Sequence, residues 1–291
     1  MKAGHRAVSR GVVLGLSLCL LTIPALAEDC PEIVGQWSND PAYDVAASGG
    51  FVFFGDGASL LVADVSDPAT PQVVGGVVLP GEIKDIQVAG VYAYVAADSS
   101  GLRIVDVSTP DSPIEVGFEE SPEFAFGVAV SGEYAYVADV YAGLRVIDVS
   151  APTSPFEVGL VATPGLALGV ATTGTHAYVA DNWGGLRVID VSTPSSPTEV
   201  GHCDTPGYAV GVSVTDGHAF VAGRSAGLRV IDVTTPTAPV EVGFWTTPDD
   251  AEAVTVAAGY AYVAAALAGV RAIDVSSPSA PFEAGFYDTP G

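Results

Sequence analysis

Basic residues are scarce in this chain: 10 Lys and Arg stand against 34 Asp and Glu in 291 residues, a formal net charge of −24 at pH 7. Such a balance repels phosphate backbones and anionic lipid headgroups, which excludes nucleic acid as a natural partner. Charge of either sign is also sparse. Charged residues are 15% of the chain and mean hydropathy is +0.42, which excludes the disordered acidic class and calls for extensive burial. With 3 cysteines, no CxxC and no Cys/His cluster at zinc spacing, neither a disulfide framework nor a structural zinc site is expected. GxSxG, HExxH, a phosphate-binding glycine loop and an EF-hand ligand string are missing too, so no motif calls for a cofactor or a metal. The one long apolar run, Gly11 to Leu21, stops before Pro24 and is shorter than the ~20 residues that a membrane span needs.

That run belongs to an export signal. Lys2, Arg6 and Arg10 make a positive n-region, and Ala25-Leu26-Ala27 supplies a small-x-small cleavage site. Residues 1–27 are therefore expected to be removed, and 28–291 to form a single domain that is secreted, periplasmic or held at the cell surface. The leader carries three basic residues and no acidic one, so the mature chain keeps 7 basic against 34 acidic residues, a net charge of −27. Cys30 and Cys203 survive cleavage in different, non-adjacent copies of the repeat described next, and are expected to stay unpaired.

What the chain has in abundance is repetition. The stretch GLRVIDVS at 143–150 recurs letter for letter at 185–192, and its aspartate returns every 42 residues as Asp64, Asp106, Asp148, Asp190, Asp232 and Asp274. Within one copy, 117–158, the segments FGVAVSG, EYAYVAD and LRVIDVS are short, rich in Val, Ile and Tyr and bounded by turn residues, so each reads as a strand. PFEVG at 155–159 starts a fourth. Ser131-Gly132, Ala89-Gly90, Thr173-Gly174 and Asp216-Gly217 suit tight hairpins between the first two strands. Strands such as RVIDV and YAYVA are apolar on both faces, hence covered on both sides. Stacking four-stranded sheets in a ring does this, and the repeat length fits the roughly 40–45 residues of a propeller blade better than the shorter coils of a parallel β-helix. The predicted fold is all-β, a β-propeller of six four-stranded blades, with seven blades, the last truncated, as the alternative.

The periodic residues carry further expectations. Arg103, Arg145, Arg187, Arg229 and Arg271 lie three positions before the repeated aspartate, so the two side chains point to opposite faces of one strand. Each arginine is expected to pair with an acid on the next sheet. Each aspartate is expected to cap the turn into SxPxxP, a role favoured over a ring of aspartates holding metal. Glu115, Glu157, Glu199, Glu241 and Glu283 on the outermost strand read as a solvated rim that discourages edge-to-edge aggregation.

LRIVDVS at 102–108 and the four later copies, LRVIDVS twice, LRVIDVT and VRAIDVS, resemble the LVIVD repeat. The resemblance runs over 31–291. It implies the propeller fold and a secreted or cell-surface setting, and brings no catalytic residues with it. The first copy, LLVADVS, lacks the arginine. The outer-strand pattern occurs seven times, from PEIVGQW at 31–37 to PFEAGFYDTPG at 281–291, against six sets of inner strands. A ring is often closed by a strand from the other terminus, and either end copy suits that role, leaving one surplus.

Function is expected in the loops that vary between copies, since binding residues concentrate on loops carried by a rigid scaffold. These loops connect strands two and three, or precede strand one, and antiparallel connectivity brings both sets to one face. Lys84, Tyr141, Trp183, Tyr208 and Arg224 would give that face aromatic and cationic contacts. The expected role is a non-catalytic module that binds a protein or a glycan, as a monomer or as part of a longer surface protein. The alternative is a hydrolase or lyase acting on a surface polysaccharide through carboxylates at the channel mouth, Asp44 with Asp85 or Asp249 with Asp250, for which two carboxyls several ångströms apart are required. His176 and His218 stand where other copies have Tyr92, Tyr134 and Tyr260, and read as strand residues.

Overall fold

The computed structural model describes residues 42–121 and 123–289. The leader 1–27, Cys30 and the first outer-strand copy at 31–37 lie outside the described residues. Each repeat folds as an antiparallel meander, strand beside next strand, giving six four-stranded sheets. Blade 1 holds β1 (Ala42–Ser48), β2 (Phe51–Asp56), β3 (Ser59–Asp64) and β4 (Gln72–Val78). Blade 2 holds β5 (Asp85–Ala89), β6 (Tyr92–Ala96), β7 (Leu102–Asp106) and β8 (Ile114–Glu119), and blade 3 β9 (Ala125–Ser131), β10 (Tyr134–Asp139), β11 (Gly143–Asp148) and β12 (Phe156–Val161). Blade 4 runs through β13 (Gly169–Thr173), β14 (His176–Ala180), β15 (Leu186–Asp190) and β16 (Thr198–Cys203). Blade 5 follows with β17 (Gly211–Thr215), β18 (His218–Ala222), β19 (Leu228–Asp232) and β20 (Val240–Trp245). Blade 6 closes the series with β21 (Ala253–Ala257), β22 (Tyr260–Ala264), β23 (Val270–Asp274) and β24 (Phe282–Tyr287). The first strand of each blade faces a central channel, and the chain is a six-bladed β-propeller. Its described residues include one 3-10 turn, Ala266–Ala268, and no helix long and apolar enough to cross a membrane.

Both faces of each middle strand are buried, as their unbroken apolar runs require. Tyr94, Ala96, Leu102 and Ile104 of blade 2 pack on Ala135, Val137 and Ile147 of blade 3 in one apolar cluster. Like clusters join blades 1 to 2, 3 to 4, 4 to 5 and 5 to 6. Outer strands lock by shape: a methyl on Gly117, Gly159, Gly201 or Gly243 would lie within 2.2 Å of the carbonyl oxygen of Pro152, Pro194, Pro236 or Pro278 on the next blade. The proline turn is pressed against outer-strand backbone, and a residue with Cβ does not fit. Every third strand pairs with its fourth through a register shift, as between Val146 and Ile147 in blade 3.

The aspartates cap their turns. Asp64, Asp106, Asp148, Asp190, Asp232 and Asp274 each accept a hydrogen bond from the backbone N–H two residues on, at 2.8–2.9 Å. Hydrogen bonds from the Ser or Thr two residues on, through side chain and backbone, hold the carboxyls of Asp64, Asp106, Asp148, Asp190 and Asp232 below the ordinary range.

Two expectations are corrected. The arginines are buried, but each takes its main partner from the outer strand of its own blade or, for Arg271, from the residue just after it: Glu115 for Arg103 at 3.1 Å, Glu157 for Arg145 at 2.6 Å, Glu199 for Arg187 at 3.3 Å, Glu241 for Arg229 at 3.1 Å, and for Arg271 Asp288 at 2.8 Å with Glu283 at 3.7 Å. Only a strand spacing separates these groups, whereas the facing sheet is filled with apolar side chains. Of these five arginines Arg145 alone reaches an acid on a neighbouring blade, Glu119 at 3.8 Å, and that blade is the preceding one. The glutamates are accordingly not a freely solvated rim but half-buried counter-ions. The guanidinium groups of Arg103, Arg229 and Arg271 also lie 4.5–4.7 Å from the ring centres of Phe118, Phe244 and Phe286, which share their face. Each described blade is built from four consecutive strands, so of the two end copies it is the C-terminal one, β24, that supplies the last outer strand.

Candidate binding face and channel

The variable loops meet on one face, held by backbone pairs between blades. Asp98 and Ala125 exchange hydrogen bonds of 3.1 and 3.0 Å, Asn182 and Ala209 of 2.9 and 3.0 Å, Arg224 and Ala251 of 3.0 and 3.1 Å. In each pair a loop between strands two and three grips the segment before strand one of the following blade. Asp98, Asn182 and Arg224 adopt φ of 49–50° to do so. Asp and Asn tolerate that left-handed region, but for Arg it is a strained choice.

This frame carries exposed aromatics. Tyr141 is 64% exposed, Trp183 58% and Tyr208 53%. Trp183 and Tyr208 flank the Asn182–Ala209 bridge from its two sides, and Tyr141 meets Phe124 edge-on at 6.4 Å between ring centres. Phe124 and Phe126, also exposed, extend the row. Lys84 and Arg224 are set apart from Tyr141, Trp183 and Tyr208: both line a channel cavity of about 630 Å³ with Asp44, Asp85, Phe126, Glu252 and Tyr262. Neither is a bare cation, for Lys84 pairs with Glu82 at 3.0 Å and Arg224 with Glu252 at 3.3 Å. The five candidate residues thus form two neighbouring groups, an aromatic arc and a channel mouth.

Asp44 and Asp85 do converge. Their carboxyls hydrogen-bond to each other, burial and then the neighbouring Asp85 carboxylate push Asp44 well above the ordinary range, and burial raises Asp85. The pair therefore retains a proton more readily than free carboxyls do. Its remaining oxygens accept backbone bonds: Ile86 N–H reaches Asp44 Oδ2 at 2.7 Å and Asp85 Oδ1 at 2.8 Å, and Val128 N–H reaches Asp85 Oδ2 at 2.6 Å. Gln87 Oε1 continues the series by accepting from Val130 N–H at 2.5 Å. These side chains stitch the inner strands of blades 1, 2 and 3, and direct contact is closer than the separation of about 5 Å or more at which glycosidase carboxyls work. The other pair is similarly occupied. Asp249 accepts from Asp250 N–H at 2.8 Å and Leu267 N–H at 3.2 Å, so it orders a loop.

Sequence reading passed over Phe126, Glu252 and Tyr262 in the channel and the fully buried Asp139 and Asp181. Burial raises Glu252 against the opposing pull of Arg224. Asp139 accepts from Ser121 Oγ and from Phe124 N–H at 2.9 Å, and Asp181 from Thr163 Oγ1 at 2.6 Å and Gly165 N–H at 2.8 Å. The copies in blades 2, 5 and 6 have Ala97, Gly223 and Ala265 at this position, and that contrast was the available signal. Tyr262 gave none, because its copies are Tyr or Phe as well.

A family model described as LVIVD repeat matches residues 41–78, 80–118, 124–163, 164–205, 206–247 and 248–289. The chain matches none of the curated proteins with which it was compared. Among solved structures it resembles the computationally designed Ika8 protein, with 11% identity and a TM-score of 0.64 over 81% of this chain and 72% of that one. It also resembles a functionally unknown protein from Desulfotomaculum acetoxidans DSM 771, with 12% identity and a TM-score of 0.63 over 83% and 79% of the two chains. A third resemblance is to U3-55K, with 11% identity and a TM-score of 0.69 over 86% and 81%. At these identities the likeness concerns the fold alone.

Proposed function

The chain belongs to the LVIVD repeat family, and from that premise we propose that it is an exported, non-catalytic binding module or scaffold that takes a protein or glycan partner on its variable-loop face. The observation that carries this reading is the exposure of Tyr141, Trp183 and Tyr208 on loops that interblade hydrogen bonds hold in place. Large aromatic side chains left in water cost solvation, whereas rings fixed before a partner arrives lose little entropy on binding. Tyr and Trp are also the residues that most often dominate binding energy. The acidic mature chain suits a neutral or basic partner. Export through the 1–27 leader would place the face outside the cytoplasm. The direct contact of Asp44 with Asp85, both of which hold backbone donors, and the loop-ordering bonds of Asp249 favour binding over the hydrolase or lyase alternative.

The test is binding of the purified chain to a glycan array and to surface proteins of the producing cell, beside a Tyr141→Ala/Trp183→Ala/Tyr208→Ala variant. Loss of a bound partner with thermal stability unchanged is the expected result. Binding that survives intact in the folded variant would move the working surface elsewhere.

A further inference from the structure

The inner strands that line the channel differ in how their backbone donors are received. Asp85, Gly127, Gly169, Gly211 and Ala253 stand at one level of β5, β9, β13, β17 and β21, each opposite an alanine of the second strand, and Asp44 is their counterpart on β1. The next residue in each strand turns its backbone N–H away from the second strand, as antiparallel alternation requires. In blades 2 and 3 a carboxyl of the preceding blade receives that donor, Asp44 from Ile86 and Asp85 from Val128. Two residues further on, the Gln87 amide oxygen does the same for Val130. Val170, Val212 and Val254 have the same register in blades 4, 5 and 6, but the residues placed to receive their N–H groups are Gly127, Gly169 and Gly211, which have no side chain. Crowding keeps two of these glycines small: a Cβ on Gly127 would lie 2.7 Å from the Leu168 carbonyl oxygen, and one on Gly169 3.0 Å from that of Val210. Val170, Val212 and Val254 line the channel cavity of about 630 Å³ together with Lys84 and Arg224, and a volume of this order is typical of small-molecule sites.

We infer that this channel binds a small organic acid, whose carboxylate oxygens accept from N–H groups among Val170, Val212 and Val254 and so take at blades 4 to 6 the part that Asp44 and Asp85 play at blades 2 and 3. The chain itself shows which chemistry these donors accept, a carboxyl twice and an amide oxygen once. A carboxylate makes the stronger, charge-assisted bonds, and Lys84 and Arg224 bring two cations to the same cavity. Acids of the channel do not outweigh them. Glu252 is paired with Arg224, and Asp44 and Asp85 bond to each other, with burial raising the pKa of both. The negative charge of the outer surface is screened beyond about 8 Å at physiological salt, so contacts inside the channel decide. Val88, Phe126, Leu168 and Tyr262 offer the carbon skeleton apolar surface. Tyr262 is partly exposed there, whereas its counterparts Tyr94, Tyr136 and Tyr178 are at most 5% exposed. This site is distinct from the aromatic arc of Tyr141, Trp183 and Tyr208, and stands or falls independently of it.

Amide NMR of the purified full chain tests this, with succinate, citrate and galacturonate as probes and with succinamide and galactose as uncharged counterparts. At least one acid is expected to shift the Val170, Val212 or Val254 amides saturably, with a Kd of about 1 mM or tighter, and neither uncharged compound is. Succinate or citrate as the active probe would identify an acyclic acid, galacturonate an acidic sugar. No saturable shift from any of the acids at about 10 mM, or equal shifts from the uncharged compounds, would overturn the inference. Gly211 provides a second measurement, because a Cβ there would come no nearer than 3.3 Å to the surrounding atoms. Gly211→Asn offers Val254 N–H an uncharged acceptor from within the chain, as Gln87 does for Val130, and should weaken binding of the active acid about tenfold by displacing one charge-assisted hydrogen bond. Gly211→Ala adds bulk without an acceptor and should bind within about threefold of the parent. Equal affinities in the two variants would refute the assignment of these donors to the ligand.

Discussion

Arg187 and Arg103 have the same place in their blades but different surroundings, and replacing each by Met separates two kinds of electrostatic contribution. Arg103 faces Glu115, a half-buried carboxylate that can recover water, and position 97 beside it is Ala. Removing Arg103 therefore forfeits charge-assisted hydrogen bonds at about 1–2 kcal/mol. Arg187 faces Glu199 in the same way, but its Nε also lies 3.5 Å from the fully buried Asp181. Taking that cation away strands a charge in the interior, for which about 3–5 kcal/mol is typical. Urea unfolding followed by tryptophan fluorescence should thus place Arg187→Met about 2 kcal/mol below Arg103→Met. Acid gives a second signature. Burial already raises the Asp181 carboxyl, with Arg187 among the opposing influences, so in the variant its folded-state pKa climbs further above the unfolded value of about 3.9. Between those two values the folded variant binds more protons than the unfolded chain, and its stability relative to the parent must improve as pH falls through that window. Equal costs for the two arginines, at every pH, would refute the stranded-charge reasoning.

Other perturbations have equally definite outcomes. Asp44→Asn supplies permanently the uncharged partner that Asp85 favours. Because the folded pKa of Asp44 is raised, the variant should melt higher than the parent at neutral pH, with the gain shrinking to nothing below about pH 3.9. Gly201→Ala drives a methyl to 2.2 Å from the Pro236 carbonyl oxygen and should cost about 1–3 kcal/mol by overpacking, measurable as a lower urea midpoint. At the open hairpin turn of blade 1, Gly49→Ala meets no atom within 4 Å; its left-handed φ should cost about 1 kcal/mol, a contrast that separates crowding from backbone strain. Arg224→Asn relieves a left-handed Arg while leaving Glu252 without its cation, so the Glu252 carboxyl should titrate higher by NMR with little change in global stability.

Much of this architecture could be read from the recurrence of GLRVIDVS. An invariant stretch bounded by turns and apolar on both faces has few homes, and a stacked sheet in a closed array is the one that fits a 42-residue period. The aspartate caps followed from the chemistry of Asx turns. Arginine partners did not, although the signal was present. Each Arg precedes a Glu by 12 residues in five copies, and in the first copy both are lost together, as Leu61 and Val73. A fixed offset within one repeat, with joint loss, marks a pair inside one blade. Strand parity gave the face of the arginine but not its neighbour. Within the candidate face, Tyr141, Trp183 and Tyr208 stood out because they lie at positions that vary between copies, Tyr141 and Trp183 against Ser99, Ser225 and Leu267, and Tyr208 against Glu82, Phe124, Leu166 and Asp250. Tyr262 was illegible because its distinction lies in what fails to cover it, and Asp44 with Asp85 because carboxyl separation is a property of strand placement around the channel.

Among the described residues the main blade contacts pass from neighbour to neighbour, glycine beneath proline turn and core against core. Such a molecule is modular in heredity as well as in form. The identical octapeptides at 143–150 and 185–192 are natural points for unequal crossing-over, and an exchange there adds or deletes one whole unit in frame with every junction chemically matched.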